Sequence, residues 1–115
     1  MAAEAAGSPS RPVSLADGAA LSALVADTDV VLVEFYTSGC GICQQMEPVL
    51  GTVAHEAAAT VGMINPRTDP PLIEAFDVRS VPLFVLFVDG DEVARRAEGF
   101  IGAGDLLSWL EEHTP

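Results

Sequence analysis

Strand-length apolar runs alternate along this chain with segments whose apolar residues recur every three to four positions, the two spacings of buried strands and of one-sided helices. Val30-Val-Leu-Val-Glu-Phe-Tyr36 is β-branched and apolar on both sides of a single acid, Glu34, as expected of a strand buried on both faces. Leu83–Val88 is a second strongly apolar strand. Asp89-Gly90 is a hairpin-turn signal that leads into Glu92–Ala97. Thr60–Asn65 reads as another strand, and Pro12–Leu15 as a short edge strand.

Between these lie the helical patterns. Ala19, Ala20, Leu21, Leu24 and Val25 follow Asp17, a plausible N-cap. From Cys40 to about Ala59 the pattern is helical, with Met46, Val49, Leu50 and Val53 on one side and Pro48 expected to kink it. Pro70–Phe76 is a short helix entered through a proline pair, and Gly104–His113 is amphipathic with Leu106, Leu107, Trp109 and Leu110. The order β-α-β-α-β-α-β-β-α predicts the α/β class: a central mixed sheet flanked by helices on both faces.

A chain of 115 residues has room for one domain. Residues 1–12, rich in Ala, Gly, Ser and Pro, read as a flexible N-terminal tail, and 13–115 as the folded domain. Such a domain can bury a core without disulfide staples or metal. The formal net charge is -12, with no lysine at all. This argues against nucleic acid and against an anionic membrane as partners, since both need a basic face; it favours a monomer at low salt. The acidic surface fits a salt-rich cytoplasm, where screening removes self-repulsion, and equally a coding bias toward Ala, Asp, Glu and Arg. No basic start followed by an apolar stretch marks a secretory leader, and no run has transmembrane length, so a cytoplasmic location is expected.

In a reducing compartment two cysteines are not expected to form a merely structural disulfide, which turns attention to Cys40-Gly-Ile-Cys43. At the N-terminus of the predicted helix, Cys40 would meet unpaired backbone N–H groups and the positive end of the helix dipole, both of which stabilise a thiolate, the nucleophilic form. Cys43, one turn inside, would be sheltered and poised to resolve a mixed disulfide at Cys40. Buried inert thiols are the bland alternative. Zinc is disfavoured because it usually takes four ligands, and neither His55 nor His113 has finger-type spacing. The two histidines read as surface residues, Trp109 as packing, and Asp69, Asp77 and the Asp89–Glu92 cluster as solvated loop charges. Phe35–Met46 and Ser80–Val88 carry no charged residue, the composition of an apolar contact surface.

The sequence resembles the thioredoxin family through Val31-Leu-Val-Glu-Phe-Tyr36 leading into Gly39-Cys-Gly-Ile-Cys43, then Pro48, Ser80-Val-Pro82, Asp89-Gly90 and Glu98-Gly99-Phe100. That resemblance implies the thioredoxin fold and a dithiol–disulfide oxidoreductase in which Cys40 attacks, Cys43 resolves and the two form a redox-active disulfide. It implies that Glu34 is the buried acid that moves a proton to or from Cys43. It also implies that Pro82 is a cis-proline and that Val81 pairs its backbone with substrate, with Gly39, Gly41, Ile42, Gly99 and Phe100 completing the substrate surface. The implied partners are protein disulfide substrates and an upstream thioredoxin-reductase-like enzyme; no bound cofactor and no metal are implied. Three positions depart from the family's usual pattern. Gly39 stands in place of Trp and Ile42 in place of Pro, and Met63 occupies the position of a lysine that faces the acid. Without that cation Glu34 is expected to titrate well above an ordinary glutamate. A thioredoxin-fold adaptor or redox-sensing binding module is the alternative from another class. Glutaredoxin-like use of glutathione is disfavoured by the β-α unit that precedes the motif strand.

Overall fold

The computed structural model describes residues 10–115, so most of the expected N-terminal tail lies outside the described residues. In chain order the elements are β1 (Val13–Leu15), α1 (Gly18–Asp27), β2 (Val30–Phe35), α2 (Gly41–Glu56) and β3 (Thr60–Ile64). They continue as a 3-10 turn (Pro66–Thr68), α3 (Pro71–Ala75), β4 (Leu83–Val88), β5 (Asp91–Arg96) and α4 (Ala103–His113). The five strands form one mixed sheet in the order β1-β3-β2-β4-β5. Strand β3 runs parallel to β1 and β2, whereas β4 is antiparallel to both β2 and β5.

Strand β2 is central and buried along nearly its whole length, which explains its unbroken apolar run. Its side chains alternate between two cores. Leu32 joins Met46, Leu50, Val53, Phe84, Leu86, Leu106 and Trp109 beneath α2 and α4. Val31, Val33 and Phe35 join Leu21, Ile64, Leu72, Val85 and Phe87 on the face covered by α1 and α3. By the same alternation Glu34 projects to the α2 side, as Leu32 does.

The helix ends follow local chemistry. The Asp17 carboxylate accepts the Ala20 N–H at 2.9 Å, the predicted N-cap. Asp69 differs from the expected solvated loop charge: its Oδ2 accepts the Gly18 N–H at 2.8 Å and so ties the start of α1 to the loop before α3. The 3-10 turn was not foreseen. Asn65, expected to end a strand, caps that turn by accepting the Arg67 N–H. Helix α2 stops three residues short of the expected Ala59 and runs as one helix through Pro48.

Candidate active site

The loop from Tyr36 to Gly39 turns out of β2 and delivers Cys40 to the N-cap of α2. Gly39 makes the turn at a φ of 83°, a conformation costly for any residue with a Cβ. Cys40 Sγ accepts the Cys43 N–H at 3.1 Å, and its carbonyl accepts the Gln44 N–H, so the sulfur lies where the helix offers its unpaired donors. Cys40 and Cys43 are joined as a disulfide with Cα atoms 5.2 Å apart. Cys40 is half-buried, whereas Cys43 is only 4% exposed, so the two sulfurs differ in what can reach them.

Glu34 is completely buried, and neither carboxylate oxygen has a hydrogen-bond partner among the described residues. It pairs with Met63 on β3 and Phe84 on β4, two apolar neighbours. Burial, with the negative charge of Glu47 adding to it, pushes the carboxyl up to about 8. Unpaired, a carboxylate at this depth would cost several kcal/mol, so the proton is retained. Glu34 is thus a buried acid whose pKa lies above that of an ordinary glutamate.

The remaining positions lie at the same end of the sheet. Phe35 at the end of β2 is paired with Leu83 at the start of β4, which brings the segment Ser80–Pro82 beside the Tyr36–Cys40 loop. The Val81–Pro82 peptide is cis. Val81 is half-buried, but Pro82 is buried and supports this edge from within. The Ile101 N–H points at Met46 Sδ, 3.4 Å away, which anchors the Gly99–Phe100 turn against α2, with Gly99 at a φ of 91°. Ile42 and Phe100 are 43% and 52% exposed, a large fraction for apolar side chains in so charged a protein. Gly41 is exposed and has open space around it.

Three contributors escaped the sequence reading. Thr37 and the exposed Ile73 line a hollow with Val78, Ser80 and Val81 beside the cis peptide. Glu47 lines a second hollow with Tyr36, Gly39, Cys43 and Met63. The only signal for Glu47 in the sequence is its place one helical turn after Cys43, which puts both on one face of α2.

Residues 13–112 match a family model described as Thioredoxin. A thioredoxin from Mycobacterium tuberculosis is 32% identical over 108 residues, covering 92% of each chain. The bifunctional thioredoxin reductase/thioredoxin of Mycobacterium leprae is 30% identical over 105 residues, which make up 90% of this chain and 23% of that one. Among solved structures, a mutant thioredoxin from Halobacterium salinarum superposes with a TM-score of 0.88 at 36% identity, over 95% of this chain and 96% of that one.

Proposed function

The chain belongs to the thioredoxin family of thiol–disulfide oxidoreductases, and we propose that it works in the reducing direction on protein disulfides, with Cys40 as nucleophile, Cys43 as resolving thiol and Glu34 as the proton site between them. The observation that carries this reading is the asymmetry of the pair: Cys40 at the helix N-cap within reach of solvent, Cys43 buried one turn inside on the helix that covers Glu34.

In the reduced protein the helix N-terminus favours a Cys40 thiolate. That thiolate attacks one sulfur of the substrate, forms a mixed disulfide and expels the other sulfur as a thiolate, which takes a proton from water. Glu34, having released its proton to water, takes the proton of Cys43, and Cys43 attacks Cys40 Sγ. The bond between Cys40 and the substrate breaks, and the second substrate sulfur leaves reduced. The substrate gains two electrons, and the protein is left as the Cys40–Cys43 disulfide. A carboxyl near 8 is well matched to this task. A glutamate near its usual 4.5 would be the weaker base by about 5 kcal/mol.

Ile42, Phe100 and the Val81 backbone are the surface on which an extended substrate segment would lie, with Gly39, Gly41 and Gly99 leaving the approach to Cys40 open. The oxidised form needs an upstream reductase. Support for a reductase of the thioredoxin-reductase kind comes from the Mycobacterium leprae relative, whose name joins both activities. A redox-active pair recharged in this way belongs in a reducing compartment, which supports the cytoplasm, and the net charge of -12 supports a monomer.

The reduction potential of the Cys40–Cys43 couple, equilibrated against glutathione or dithiothreitol, tests the direction. A value near roughly -270 mV is the expected result. A value near roughly -120 mV would assign the protein to disulfide donation instead.

A further inference from the structure

The hollow beside Cys43 contains an arrangement that the exchange mechanism does not by itself require. Glu47 follows Cys43 by one turn of α2, and both line this hollow with Tyr36, Gly39 and Met63. Met63 is the β3 register partner of Glu34, so the hollow abuts the stretch of sheet from which Glu34 projects toward α2. Glu34 is fully buried with both oxygens unpartnered among the described residues, while Glu47 is exposed. The side chains paired with Glu34 from β3 and β4 are Met63 and Phe84, neither of them titratable. From α2, Cys43 and Glu47 line the hollow, and Tyr36, just past the end of β2, lines it too.

Two carboxyl groups that interact cannot both ionise freely, and the better solvated one takes the charge. Resting on the reading of Glu34 as the proton site, we propose that Glu47 is a positioning residue: its solvated carboxylate holds the negative charge of the pair and thereby keeps the proton on buried Glu34, available to Cys43. When the Cys40–Cys43 disulfide is reduced by an incoming thiolate, that thiolate bonds to Cys40 Sγ and Cys43 leaves as a thiolate. The proton retained on Glu34 passes to Cys43, which leaves Glu34 ionised until it is reprotonated from water. The like-charge partner thus extends to higher pH the range in which Glu34 carries the proton that Cys43 takes up, and its influence is weakened by salt because Glu47 itself lies in solvent. The raised pKa of Glu34, with Glu47 as its second cause after burial, is in keeping with this arrangement.

The test is the titration of the Glu34 carboxyl in the oxidised protein, followed by carboxyl-carbon NMR, in wild type, Glu47→Gln and Glu47→Lys. Glu112→Gln on α4 serves as a control for net charge alone. The pH profile of disulfide opening by dithiothreitol is recorded beside it. Glu47→Gln is expected to lower the Glu34 pKa by about half a unit to one unit, and Glu47→Lys by about twice that. The pH at which opening slows should move down in step, and 1 M salt should shrink the differences. Glu112→Gln should shift neither. An unchanged Glu34 titration in both Glu47 variants, or an equal shift in Glu112→Gln, overturns the proposal. A profile untouched by Glu34→Gln would instead refute the proton role of Glu34, and the titration would still report separately on Glu47.

Discussion

Glu34 on β2 stands opposite Met63 on β3, so a fully buried carboxyl meets a thioether across the parallel register and has no cation beside it among the described residues. The proton this forces onto the carboxyl has a thermodynamic signature. In the unfolded chain Glu34 ionises near 4.5 and in the folded protein at about 8, so between those values the native state binds the extra proton. Stability contributed at this site is therefore highest below about pH 4.5, declines as pH rises, and levels off above about 8.

Replacement by Gln, which cannot ionise, removes that decline. Relative to wild type, Glu34→Gln is expected to gain stability steadily from pH 4.5 to 8, by up to about 4–5 kcal/mol, in urea unfolding of the oxidised protein. Curves for the two proteins that run parallel across that range would show that Glu34 ionises as readily folded as unfolded.

Ile42, two residues after Cys40, and Phe100, next to the Ile101 that meets Met46 of α2, leave about half of their apolar surface in water, so each contributes less to the fold than a core side chain. Truncating either to Ala should cost about 1 kcal/mol of stability, far less than truncating a core side chain. The double variant should nevertheless lower kcat/KM for a protein disulfide by about tenfold, the loss of about 1.4 kcal/mol of contact. Turnover of a small disulfide that cannot span both residues should be nearly unchanged. An equal loss on both substrates would locate the effect in the chemistry at the cysteines and not in substrate contact.

Much of this architecture can be read in the sequence, because its main signals are local. Val30–Phe35 advertises a central strand by being apolar at both parities, and that same run shows Glu34 to be an intruder whose burial needs explaining. Cys40 falls between a strand pattern and a helix pattern, which places it at a helix start without any tertiary information. What the sequence conceals depends on distant segments. Glu47 looks like any charge on the wet side of a helix until the sheet beneath α2 is in place. Ile73 lies in a five-residue helix too short to show a period. Asp69 is separated by 51 residues from the Gly18 N–H it accepts, and no local pattern announces such a contact.

That contact carries its own prediction. Asp69→Ala leaves the first N–H of α1 without its carboxylate and should destabilise the protein by about 1 kcal/mol in urea unfolding. Asp69→Asn, which keeps an acceptor oxygen, should recover most of the loss. Identical losses in the two variants would mean that charge, not the hydrogen bond, makes the contribution.

In the proposed exchange Cys40 makes the bond to substrate and Cys43 breaks it, so the intermediate between the two steps can be trapped. Reduced Cys43→Ser and reduced Cys40→Ser are each mixed with a disulfide-bonded protein substrate, quenched with acid and analysed by intact mass. Cys43→Ser is expected to accumulate a stable mixed disulfide through Cys40, while Cys40→Ser, its remaining sulfur 4% exposed, accumulates almost none. Equal trapping by both variants, or trapping by Cys40→Ser alone, would rule out Cys40 as the attacking thiol.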